Sequence, residues 1–259
     1  MTTTTEPQTD NAAAPAPDGS IWVNAHELRR ALRAVRGVMD RGGHIGVHLT
    51  TSDGALYVTA TDRYTLASYL VPLLARPTDE APPAPAAVTA QISRYDARAL
   101  AGTLRGSTAD DVVEIDATSS AVSLRINANR LNHASLMVVP SRDWGINKHL
   151  IGLLLSILAS PEPLAGAVAR VDPYHLGRLL RPADRIRRRA GSNTPAIVAT
   201  HLQPGSTGFP IFSVRVGPFA GLAMGVRARD GEAPDVWGEI AGAPAARPSS
   251  PADTEAGAR

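Results

Sequence analysis

An α+β fold of tandem βαβββ units is predicted by a pattern that the chain writes three times. A short apolar strand ends in a helix-capping residue at Ile21-Trp22-Val23-Asn24, Ala90-Gln91-Ile92-Ser93 and Ala169-Arg170-Val171-Asp172. Asn24, Ser93 and Asp172 each carry a side-chain oxygen able to accept the free N–H groups of a first helical turn. Counted from these caps, offsets four, seven and eight give Leu28, Ala31, Leu32, then Ala97, Leu100, Ala101, then Leu176, Leu179, Leu180. That is one apolar helix face repeated, and three strand-forming runs follow each helix. A repeat of this length decides the architecture before any single residue does.

In the first unit a helix is predicted from Asn24 to about Asp40, with Asn24 and Glu27 in the spacing of a capping box. At 100° per residue Leu28, Leu32, Val35 and Met39 fall in one arc, while Arg29, Arg30, Arg33 and Arg36 lie on the other side. Strands are expected over His44 to Thr50, Leu56 to Ala60 and Leu66 to Val71, the first turn being Ser52-Asp53-Gly54. The second unit begins after an exposed crossover, Pro82-Pro83-Ala84-Pro85, and its helix from Arg94 to about Leu104 sets Arg94, Arg98 and Arg105 in one stripe. Its strands are expected over Val112 to Asp116, Val122 to Asn127 and His133 to Val139.

The third unit opens with Asp172-Pro173, a cap followed by proline at the first helical position, where its missing N–H costs nothing. Pro182 is expected to end or kink this helix, leaving Arg185, Arg187, Arg188 and Arg189 beyond it as a dense basic cluster. Strands follow over Ala196 to His201, Ile211 to Val216 and Leu222 to Arg227. Between the second and third units, Asn147 to Ser160 is rich in Leu and Ile. It is too short for a membrane span, which needs about 20 residues, so a buried helix is expected there, or one that faces a partner. The organisation expected is a disordered leader (1–19), a complete domain (20–140), a connector with an apolar helix (141–167), a half domain (168–229) and a disordered tail (230–259).

Composition narrows the function classes. The chain has 259 residues, 44% of them hydrophobic, and no cysteine, which excludes disulfides and thiolate metal sites. The leader has neither a basic nor an apolar signal region, and a cytoplasmic protein is expected. The net charge of +2 hides a division: Glu6, Asp10 and Asp18 sit in the leader, and six acids against Arg247 and Arg259 in the tail, leaving the body at about +9. Such a body suits a polyanion, or is simply an arginine-rich surface, Lys148 being the only lysine.

Catalytic arrangements are not found. The sequence has no G-x-S-x-G, no P-loop and no G-x-G-x-x-G opening a helix. His44 and His48 share a strand face but stand about 13 Å apart at ~3.3 Å rise per residue, too far to share a metal. Gly205-Ser206-Thr207-Gly208 reads as a turn. No enzyme, cofactor or metal is expected.

Three local stretches carry a family resemblance. Leu56 to Ala67 contains Ala60-Thr61-Asp62-Arg63-Tyr64-Thr65-Leu66-Ala67, similar to the A-T-D-G-[HY]-R-L-A turn in the central domain of the bacterial DNA sliding clamp, the β subunit of DNA polymerase III. Pro140-Ser141-Arg142-Asp143-Trp144 resembles that family's F-P-D-[YW] domain exit, and Leu222 to Ala228 its terminal V-V-M-P-M-R-L strand. In order, 20–140 resembles the whole central domain and 168–229 the second half of the last one, so a DNA-clamp fold with one complete domain and a half domain is implied.

The resemblance implies a ring whose helices face DNA and whose sheets lie outside. Double-stranded DNA would then meet Arg29, Arg30, Arg33, Arg36, Arg94, Arg98 and Arg105, through phosphates and without sequence readout. It also implies an apolar groove for peptide motifs of a DNA polymerase or repair protein, walled by Thr61, Tyr64 and Leu66 on one side and Leu222, Met224, Val226 and Arg227 on the other. Arg63, Thr65 and Gly225 depart from the pattern's Gly, Arg and Pro. Also implied are a role in DNA replication as a processivity factor and a homo-oligomer, or a hetero-oligomer with a clamp. The alternative is a regulatory protein that keeps the fold, encloses no DNA and binds a true clamp or another partner.

Overall fold

The computed structural model describes residues 20–39, 46–75, 88–117, 121–128, 133–140, 152, 154, 156–157, 171–189, 195–202 and 210–224. These all belong to one compact unit. Their order is β1 (Ile21–Asn24), α1 (Ala25–Val35), β2 (Val47–Ser52), β3 (Ala55–Thr61), β4 (Thr65–Leu74), β5 (Thr89–Ile92), α2 (Arg94–Thr103), β6 (Val112–Ala117), β7 (Ala121–Ala128), β8 (His133–Pro140), α3 (Pro173–Arg189), β9 (Ile197–Leu202), β10 (Pro210–Val216) and β11 (Phe219–Met224). The βαβββ order therefore holds twice in full. In the third unit Val171 forms only an isolated bridge before α3, and 169–170 lie outside the described residues.

The caps act as their chemistry requires. Asn24 Oδ1 accepts the Glu27 N–H at 3.0 Å and Ser93 Oγ that of Asp96 at 3.0 Å, each satisfying a donor the helix cannot. Asp172 Oδ1 accepts the Tyr174 N–H at 2.8 Å. Asp53 and Gly54, at φ of 50° and 74°, join β2 to β3 in a two-residue hairpin turn that needs both residues left-handed.

The strands form one antiparallel sheet of eleven, with the path β5-β2-β3-β4-β1-β6-β7-β8. The first two units interlock through their opening strands. β1 pairs with β6 (Ile21↔Ile115), and β5 with β2 (Val47↔Ile92), so each unit's first strand completes the other's sheet. The third unit joins through β4. Its outer half pairs with β1 (Leu73↔Val23), and its inner half, Thr65 to Tyr69, pairs with β11 (Leu66↔Leu222, Tyr69↔Phe219). β10 and β9 continue outward from β11.

α1, α2 and α3 each lay an apolar face on this sheet, and α1 packs against both α2 and α3. Leu28, Ala31, Leu32 and Val35 of α1, Ala97 and Leu100 of α2, and Leu179 and Ala183 of α3 share one core with Leu49, Leu56, Val58, Ile115, Leu124, Val214 and Phe219. Each such Leu, Ile or Phe contributes about 1.5–3 kcal/mol relative to exposure. Gly221 on β11 admits Leu179: an added Cβ would lie 2.5 Å from its Cδ2.

Two helix boundaries differ from expectation. α1 stops at Val35, short of Asp40, and Arg36 to Val38 form a turn containing Gly37, a poor helix former. Arg178 donates from Nε to the Gly37 carbonyl and from Nη2 to the Met39 carbonyl (3.2 Å), occupying acceptors that further helix would otherwise bond. Pro182, expected to end or kink the third helix, lies inside α3, which continues to Arg189. A mid-helix proline costs about 3 kcal/mol; here burial of Leu179, Pro182 and Ala183 on one stripe offsets it. Among the described residues no helix is long and apolar enough to cross a membrane.

Candidate nucleic-acid interface

The faces of α1 and α3 turned away from the core carry arginine. Arg29, Arg30 and Arg33 stand on α1 and Arg36 on its C-cap, while α3 supplies Arg185 and Arg189. That these converge is visible in Arg33, whose guanidinium pKa is lowered first by partial loss of solvent and then by repulsion from Arg29, Arg185, Arg189 and Arg36. The continuation of α3 past Pro182 is what brings Arg185 and Arg189 to α1. Sequence reasoning left them in a basic cluster beyond the helix. The signal was the spacing of Leu179, Pro182, Ala183 and Ile186, which is helical and apolar.

Acids distribute unevenly among these cations. Arg188 and Arg187 pair with Asp184 at 2.8 and 3.3 Å, and their hydrogen bonds hold its carboxyl below the usual carboxylate range. Arg30 pairs with Glu27 at 2.6 Å, and the Tyr69 hydroxyl donates to the other Glu27 oxygen at 2.9 Å. Burial and the Glu27 charge push the Tyr69 hydroxyl well above its ordinary pKa. Among the described residues Arg33, Arg36, Arg185 and Arg189 form no ion pair. On α2, Arg98 is exposed and Arg105 follows the helix end in solvent, whereas Arg94 is half-buried. None of these three is among the cations that perturb Arg33.

The two stretches named for the groove are brought together by direct strand pairing. β11 runs antiparallel to β4 with Leu222 opposite Leu66, and the Met224 N–H donates to the Tyr64 carbonyl at 2.9 Å. Leu66 and Leu222 are buried with Ile211, and Leu154 and Ile157, both helical, lie against them. That partly meets the expectation of a buried helix; the rest of Asn147 to Ser160 lies outside the described residues. Tyr64 (59% exposed) and Met224 (38% exposed) remain open to solvent beside this cluster. Thr61 is buried, its Oγ1 accepting the Arg63 N–H at 3.1 Å. Val226 and Arg227 lie outside the described residues.

One side chain organises the turn, and nothing local in the sequence marks it. Arg178 Nη1 pairs with Asp62 Oδ2, so a single guanidinium joins α3, the end of α1 and the β3–β4 turn. Asp62 Oδ1 accepts the N–H groups of Tyr64 (3.1 Å) and Thr65 (2.7 Å). His175 adds a hydrogen bond with Thr65 Oγ1 at 3.0 Å and packs on Tyr64 with ring centroids 5.3 Å apart. Arg63, where the similar pattern has Gly, sits at φ 80°. The left-handed conformation persists without the residue that adopts it freely. Arg63→Gly should therefore stabilise the protein by about 1 kcal/mol, read as a higher urea midpoint. An unchanged or lower midpoint would contradict strain at this turn.

Set beside known proteins, the chain matches no family model and no curated protein. It does match solved structures. The fold is clamp-like. The DNA polymerase III subunit beta sliding clamp of Bartonella birtlesii LL-WM9 superposes at a TM-score of 0.54 with 11% identity, over 82% of this chain and 66% of that one. The DNA polymerase sliding clamps of Bacillus subtilis (15% identity, TM-score 0.47, 86% of this chain, 68% of that one) and Pseudomonas aeruginosa (13%, 0.48, 85% and 69%) are also similar. The chain thus spans about two thirds of the length of these clamps.

Proposed function

We propose that the protein is a clamp-like, sequence-nonspecific binder of duplex DNA that tethers or modulates a DNA polymerase or repair partner. In this reading 20–140 is a complete clamp-like domain, 168–229 half of another, and several copies are needed to surround a duplex. The observation that carries it is the gathering of Arg29, Arg33, Arg36, Arg185 and Arg189 on adjacent helices backed by one continuous sheet. Long arginine side chains on a helix surface meet phosphates well and carry no base readout without entering a groove. Arg30, Arg94, Arg98 and Arg105 extend the same contact.

The tethering part is supported by the junction of β4 and β11. Leu154 and Ile157 already cover Leu66 and Leu222, so the apolar seat open to a peptide is Tyr64 with Met224, and a thioether there adapts to varied side chains. Thr61 belongs to the same wall in this reading; Val226 and Arg227, expected on the other, lie outside the described residues. Two unrelated duplexes of equal length should compete equally for the protein. Met224→Asp should leave that competition unchanged while weakening capture of a polymerase-tail peptide at least tenfold. A strong preference for one duplex sequence would refute the DNA reading, and a peptide bound equally by wild type and variant would refute the groove.

A further inference from the structure

A recessed cavity of about 260 Å3 lies between α1 and α3. We propose that it is a binding site for a free nucleoside diphosphate or triphosphate, which would share Arg30, Arg33, Arg185 and Arg189 with the proposed duplex contact. Its apolar floor is formed by Ala34, Pro182, Ile186 and Pro218. Its wall carries Arg30, Arg33, Arg185 and Arg189 against one acid, Glu27. Glu27 is already engaged by Arg30 and by the Tyr69 hydroxyl, so three guanidinium groups face the opening with no acid of their own among the described residues.

This arrangement has a cost that an anion would remove. Arg33 has its pKa lowered first by loss of solvent and then by repulsion from Arg29, Arg185, Arg189 and Arg36, although Asp184 stands on α3 with two of them. That aspartate serves Arg187 and Arg188, leaving Arg185 and Arg189, one helical turn apart, turned to the cavity. Guanidinium groups take phosphate oxygens in forked, charge-assisted pairs, so these residues suit two or more adjacent phosphates. A diphosphate ester roughly balances the excess positive charge.

The floor argues for a nucleotide over a bare phosphate or a DNA backbone. A phosphodiester of an intact duplex lies on the outside of a wide rod and has no use for a recessed apolar surface between two helices. A base or sugar does, because stacking on proline and isoleucine removes apolar surface from water. The Glu27 carboxylate, held in place by Tyr69, offers an acceptor beside that surface. At about 260 Å3 the cavity lies just below the ~300–1,000 Å3 usual for ligand sites, so a mononucleotide would fill it and extend into solvent.

The test titrates the full-length protein, without DNA, with ADP carrying a fluorescent ribose label, and then with unlabelled ADP, ATP and pyrophosphate as competitors. Expected are saturable binding, displacement by ADP and ATP, and at least tenfold weaker displacement by pyrophosphate. Arg185→Ala/Arg189→Ala should weaken ADP binding at least tenfold, and Arg98→Ala/Arg105→Ala should leave it unchanged. No saturable binding, equal competition by pyrophosphate, or equal loss in both variants would overturn the proposal. Because no duplex is present, this outcome is independent of whether the protein binds DNA.

Discussion

Arg178→Ala is expected to destabilise the fold by about 3–5 kcal/mol, the range for removing one partner of a buried ion pair. Asp62, with little solvent access, would keep only His175 (3.6 Å) and the Tyr64 and Thr65 N–H groups, and the Gly37 and Met39 carbonyls would lose their donor. The fork matters as well as the charge. Lysine has one nitrogen and cannot reach Asp62, Gly37 and Met39 together, so Arg178→Lys should recover only part of the loss. Urea denaturation followed by circular dichroism reads both variants. A loss below about 1 kcal/mol for Arg178→Ala, the range for exposed pairs, would mean that Arg178 does not hold α3 to the first unit.

A second large effect concerns charge. Arg29, Arg36, Arg98 and Arg105 line neither the α1–α3 cavity nor the core, and all four replaced by Ala should leave the fold intact. If each meets a phosphate, the variant loses about four counterions from its release on binding, and the slope of log K against log salt becomes shallower by about 3.6. Duplex affinity at low salt should fall by roughly 10²-fold or more. Unchanged affinity and slope would remove these residues from the interface.

The repeat made most of this architecture legible in the sequence. The caps Asn24, Ser93 and Asp172 and the apolar positions after them located all three helices, since those features are local and fixed by backbone hydrogen bonding and helical period. Strand positions followed from the same alternation, with ends shifted by a few residues. Leu66 and Leu222 were named for opposite walls and proved to be register partners on neighbouring strands. What the sequence hid depends on distant contacts. Arg178 is 116 residues from Asp62, and no spacing rule links them. Pro182 reads as a helix end or kink because the penalty is local, while the burial that lets α3 continue past it comes from the sheet. For the same reason Arg185 and Arg189 gained their place beside Arg33 only in the folded chain. The strand exchange of β1 and β5 between the first two units is likewise a property of packing, since the repeat alone allows each unit to complete its own sheet.

In the proposed function a layer of arginines on sheet-backed helices holds duplex DNA by its phosphates. The most direct test is the affinity of the wild-type protein for a duplex of arbitrary sequence between 50 and 200 mM salt. If each of the nine arginines given to the interface meets a phosphate, the log–log slope is about −8 and affinity falls by at least 10⁴-fold across that interval. A slope near zero, or no binding at the lowest salt, would contradict the claim.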